Sequence, residues 1–73
     1  MITCTLDDSG LTYRSNSVSD IANKLYDYIM ENYGVHTVTK IPTETIYKSC
    51  KLISSVGEYL IKTKSQEIYC VIK

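Results

Sequence analysis

One stretch of this chain carries a clear helical period. Val18, Ile21, Ala22, Leu25 and Ile29 fall three or four residues apart on one face, and Asp20, Asn23, Lys24, Asp27 and Glu31 occupy the other. Ser17 followed by Asp20 forms a capping box with Asp in place of the usual Glu. Gly34 after Tyr33 supplies a residue that can turn left-handed, so the spacing predicts a helix over roughly residues 18 to 33. The apolar stripe needs a surface to bury against, and strands on both sides of the helix can supply it.

Ile2, Cys4 and Leu6 alternate with Thr3 and Thr5, the period-two signature of a half-buried strand. Asp7-Asp8-Ser9-Gly10 then reads as a turn into Leu11-Thr12-Tyr13-Arg14-Ser15. Placing Leu6 opposite Leu11 sets Cys4 opposite Tyr13 and Thr3 opposite Arg14, which leaves one hairpin face wholly apolar. Val35 to Lys40 is rich in β-branched residues and reads as a strand that Ile41-Pro42 ends. From Thr43 to Ile53 the spacing of Ile46, Tyr47, Cys50 and Ile53 predicts a second helix, with a strand as the alternative because Thr45, Ser49, Ser54 and Ser55 are poor helix formers. A last hairpin joins Tyr59–Lys62 to Glu67–Ile72, with Lys62 opposite Glu67, Ile61 opposite Ile68 and Tyr59 opposite Cys70.

The expected order is therefore β-β-α-β-α-β-β. It implies an α+β class built on a small, mainly antiparallel sheet with two helices on one face. With 73 residues the chain makes a single domain over 1–73, and 44% hydrophobic residues with 22% charged ones are too apolar for a disordered tail. A chain this short has a marginal core, so association with a partner is favoured from the outset. Met1 and Lys73 read as the two ends of a complete small gene product. The apolar runs are too short to span a bilayer and no signal-like segment opens the chain, so a soluble protein without membrane contact is expected.

Chemistry finds little purchase in this sequence. Cys4, Cys50 and Cys70 cannot all pair with one another, and without a secretory signal they read as buried thiols in a cytoplasmic protein. Zinc from these three and His36 lacks the close ligand pairs that structural sites use. His36 reads as a solvent-facing strand residue. With a single His and no nucleophile-elbow pattern, the expectation is a protein that is not an enzyme. Gly10, Gly34 and Gly57 are scattered, so no phosphate loop forms; Asp7 and Asp8 read as turn residues in preference to calcium ligands, and no cofactor is expected.

The formal net charge is zero, yet it is unevenly spread. In residues 1 to 36, Arg14 and Lys24 stand against Asp7, Asp8, Asp20, Asp27 and Glu31, two against five, a balance of −3; in residues 37 to 73, six Lys stand against Glu44, Glu58 and Glu67, a balance of +3. If the halves separate in space, head-to-tail self-association becomes easier. The basic half also admits single-stranded nucleic acid through Lys40, Lys48, Lys51, Lys62 and Lys64 near Tyr47, Tyr59 and Tyr69, a less favoured alternative because Arg occurs once.

Seven tyrosines occur without Phe or Trp. Tyr13, Tyr47 and Tyr59 fall on expected inner faces; Tyr26, Tyr28 and Tyr33 flank the helix stripe. The last hairpin's second face carries Leu60, Tyr69 and Val71 beside Glu58, Lys62 and Glu67, too apolar for a plain solvent face. The functional expectation is a small protein-interaction module whose binding residues are Leu60, Tyr69, Val71, Lys62 and Glu67. Its partner would be another protein or a second copy as a homodimer, with a self-assembling structural role as a further alternative. A lysine-rich, Arg-poor composition with many Ile, Ser, Thr and Tyr resembles translation from an AT-rich genome, which fits a phage- or virus-encoded modulator or inhibitor acting in the host cytoplasm.

Overall fold

The computed structural model describes residues 1–7 and 9–73, so Asp8, within the expected first turn, lies outside the described residues. The elements run β1 (Ile2–Leu6), β2 (Thr12–Ser15), α1 (Val18–Asn32), β3 (Thr37–Ile41), β4 (Thr45–Tyr47), a 3₁₀ turn (Cys50–Leu52), β5 (Gly57–Lys62) and β6 (Glu67–Ile72). The strands form one open antiparallel sheet in the order β2-β1-β6-β5-β3-β4.

Both expected hairpins form in the expected register. Cys4 pairs with Tyr13 and Thr3 with Arg14, while Lys62 pairs with Glu67, Ile61 with Ile68 and Tyr59 with Cys70. Around the first turn, the Leu6 N–H donates to the Leu11 carbonyl at 2.9 Å and the Gly10 N–H to the Leu6 carbonyl at 3.1 Å. Gly10 takes φ 69, which glycine adopts without a Cβ penalty.

Helix α1 starts where the cap predicts, with the Ser17 hydroxyl accepting from the Asp20 N–H at 3.3 Å. It ends as Gly34, at φ 81, donates its N–H to the Ile29 carbonyl at 3.0 Å. Its buried residues are Ile21, Ala22, Leu25 and Ile29, which join Cys4, Leu6, Val38, Tyr59, Ile61, Ile68, Cys70 and Ile72 from the sheet in one core.

The expected second helix over 43–53 does not form, so the two-helix arrangement is corrected to one helix and a 3₁₀ turn on the same face. Pro42 to Glu44 reverse the chain, with Glu44 at φ 58 and its N–H donating to the Lys40 carbonyl at 2.7 Å. Thr45, Ile46 and Tyr47, a β-branched and aromatic run, then pair with β3. Only one turn of the apparent helical spacing survives, at Cys50–Leu52, followed by buried Ile53.

His36 is also corrected, from solvent-facing to buried at 4% exposure. The Cys50 backbone N–H donates to His36 Nε2 at 3.1 Å, so Nε2 carries no proton. Nδ1–H therefore donates to the Gly34 carbonyl at 2.9 Å. One imidazole thus ties the loop after α1 to the start of the 3₁₀ turn.

Two measurements check this packing. Leu25→Ala, at a fully buried position, is expected to lower stability in urea unfolding by about 2–5 kcal/mol, whereas Leu52→Ala, at 53% exposure, shifts it by no more than about 0.5 kcal/mol. His36→Phe leaves the Cys50 N–H and the Gly34 carbonyl unpartnered and is expected to cost about 1–3 kcal/mol in the same assay.

Candidate functional site

In a sheet, alternate residues point to opposite faces. Helix α1 and the 3₁₀ turn occupy one face, and among the described elements nothing occupies the other. On that open face the pairing builds two bands across the strands. One runs Ile46, Thr39, Leu60, Tyr69; the other runs Ile41, Glu58, Val71, Thr5, Thr12. Thr37, Lys62 and Glu67 form a charged end.

All five residues singled out in the sequence lie on this face. Leu60, Tyr69 and Val71 are half-buried and adjacent, while Lys62 and Glu67 are exposed beside them. An open groove of about 420 Å³ continues past them, lined by Val56, Glu58, Tyr69, Val71 and Lys73 among others. Sequence reasoning missed Ile46, a large apolar side chain at 72% exposure, and Ile41. The alternation Thr45-Ile46-Tyr47 was the signal for it, overridden by a helical spacing that the fold does not use.

Two pairs of polar side chains on the face are tied to each other. The Tyr69 hydroxyl donates to the Glu58 carboxylate, and Lys62 Nζ sits 3.8 Å from Glu67 Oε2 in an exposed pair that contributes little stability. Donation to Glu58, with some desolvation, raises the Tyr69 pKa above the phenol's ordinary 10.0. Glu58 and Lys62 are thus each partnered within the face, beside its apolar side chains.

The other chemistry-bearing residues serve the fold. Cys4, Cys50 and Cys70 are buried free thiols. Cys4 and Cys70 Sγ lie 3.3 Å apart; their shared hydrogen bond lowers the Cys4 pKa and, with burial, raises that of Cys70. Burial pushes the Cys50 thiol up to about 12. His36 meets the backbone of Cys50, and no group of three His, Cys, Asp or Glu side chains placed to hold a metal occurs among the described residues. Lys40 Nζ donates to Ser55 Oγ at 2.7 Å, and the Tyr59 hydroxyl donates to the Ser55 carbonyl at 2.6 Å. These bonds brace the loop before β5. No helix is long and apolar enough to cross a membrane among the described residues.

Comparison of the chain with protein-family models, with curated proteins and with solved structures found no match. The functional argument therefore rests on geometry.

Titration tests the Tyr69–Glu58 contact. The neutral phenol is the bonded form, so Tyr69's contribution to stability is present below pH 10.0 and is lost as pH rises through its higher folded-state value. Glu58→Gln is expected to move one tyrosine's phenolate absorbance to lower pH. An unchanged absorbance titration would remove Glu58 as the cause.

Proposed function

We propose that this chain is a non-enzymatic interaction module that binds another protein across the open face of its sheet. The supporting observation is the open face of the six-stranded sheet, where exposed Ile46 and half-buried Leu60, Tyr69 and Val71 lie on the side that α1 leaves bare. The action is occlusion: a partner surface packed on Leu60 and Tyr69 is no longer available to its other ligands. Such a modulator suits a phage- or virus-encoded protein working in a host cytoplasm, and three buried free thiols fit that reducing compartment.

The single-strand nucleic-acid alternative draws less support from this arrangement. Tyr59 is fully buried and cannot stack on a base, Tyr69 is engaged by Glu58, Lys62 stands beside Glu67, and Lys40 is bound to Ser55.

Affinity capture from a lysate with and without nuclease, using the wild type and a Leu60→Ser, Tyr69→Ala double variant, tests the proposal. The expected result is a protein that survives nuclease, binds the wild type, and is lost from the folded variant, each anchor being worth about 2 kcal/mol or roughly 30-fold in affinity. A partner retained by the folded variant, or capture that vanishes with nuclease, would overturn it.

A further inference from the structure

The first and last strands meet at a seam inside the sheet, and two thiols meet across it. β1 pairs with β6 so that Leu6 stands opposite Cys70 and Cys4 opposite Ile72, which sets the two cysteines on a diagonal of the covered face. The right-handed twist of a sheet brings one diagonal closer than the other, and Cys4 Sγ and Cys70 Sγ stand 3.3 Å apart. Both side chains are fully buried, with Tyr13 of β2 opposite Cys4 and Tyr59 of β5 opposite Cys70. Cys50, the third thiol, sits on the 3₁₀ turn and is within hydrogen-bond reach of neither sulfur among the described residues.

An S–S bond is about 2.05 Å long, so the two sulfurs need to approach by only about 1.2 Å to pass from contact to bond. The hydrogen bond from Cys70 favours the thiolate of Cys4 and draws its pKa down although burial acts the other way, which makes Cys4 the nucleophile of the pair. Cys4 also lies on the more readily opened element. β1 and the edge strand β2 form a terminal hairpin that joins the rest of the sheet through β6 alone and is otherwise held by α1. Separation of that hairpin uncovers both thiols to solvent, and its return places them in contact again.

We propose that Cys4 and Cys70 form an oxidation site, a dithiol that a peroxide converts into an intrachain disulfide across the β1–β6 seam. The Cys4 sulfur attacks one peroxide oxygen, the O–O bond breaks and one water leaves, giving a sulfenic acid on Cys4. The Cys70 sulfur then attacks Cys4 Sγ, the S–O bond breaks, and the hydroxyl departs as a second water with the Cys70 proton. The two thiols lose two electrons, and the peroxide is reduced to two waters. The bond encloses nearly the whole chain, from residue 4 to residue 70, so it restricts the unfolded state and stops the terminal hairpin from separating. Both sulfurs lie on the covered face, so the site is independent of the proposed partner surface, and Leu60→Ser with Tyr69→Ala leaves it intact.

Hydrogen peroxide treatment of the full chain in native buffer, followed by alkylation of the remaining thiols in denaturant and mass spectrometry, tests it. The expected product is a single chain lighter by two hydrogens, with only Cys50 of the three thiols alkylated and Cys4 linked to Cys70 in the peptide map, all reversed by dithiothreitol. The oxidised chain is expected to melt about 10 °C or more above the reduced one. Cys50→Ala, which keeps the pair, forms the same link and gains the same rise, whereas folded Cys70→Ala gains neither, circular dichroism confirming the fold. Three free thiols after treatment, a link that uses Cys50 or joins two chains, sulfonic acid in place of the disulfide, or an oxidised chain that melts no higher than the reduced one would overturn the proposal.

Discussion

A single helix is too narrow to cover a six-stranded sheet. Strands spaced about 4.8 Å apart put roughly 24 Å between the first and the sixth, while a helix with its side chains is about 10–12 Å across. Helix α1 packs over β1 and β2, and the inner face toward β5 and β3 needs a second cover. Cys50 and Ile53, from the 3₁₀ turn and the residue after it, supply that cover, and they stay in place because His36 grips the Cys50 N–H from beneath. The buried histidine is thus a structural tie between the helix's exit loop and the second half of the roof. The same bonds fix its tautomer.

Next to it lies a second brace with the same purpose. Lys40 points to the covered face, reaches Ser55, and passes over the Tyr59 ring at 5.9 Å, while Tyr59 bonds the Ser55 carbonyl. Its chain crosses Gly57, where a Cβ would stand 3.0 Å from Lys40 Cε on a backbone at φ 149. The conformation favours glycine there, and an added Cβ would push the Lys40 chain aside. A small core thereby holds an irregular loop, residues 53 to 56, with side-chain hydrogen bonds where apolar burial alone is thin.

What was legible in the sequence was what local pattern determines. Both hairpin registers followed from alternation and turn length, and α1 followed from its cap, its stripe and Gly34, because each signal lies within a few residues of the structure it specifies. With the second hairpin's register came the placement of Leu60, Tyr69, Val71, Lys62 and Glu67 on one face. Residues 43–53 were not legible in this way. Ile46, Tyr47, Cys50 and Ile53 satisfy a helical spacing, yet β3 offers Ile46 and Tyr47 a pairing edge, and the turn at Pro42–Glu44 aims them at it. Tertiary pairing overrode a short periodic signal. The burial of His36 depends on a contact fourteen residues away, with a backbone group that no side-chain pattern records. Ile46 was lost from the site for the same reason that its strand was lost from the fold.

The place of each half of the chain in the sheet is a consequence of topology. β1 pairs with β6, so the first and last strands meet inside the sheet and each half of the chain occupies a contiguous block. Within the open face, Glu58 with Tyr69 and Lys62 with Glu67 are matched locally. A partner on this face would be selected by the fit of Ile46, Leu60 and Val71 at contact range.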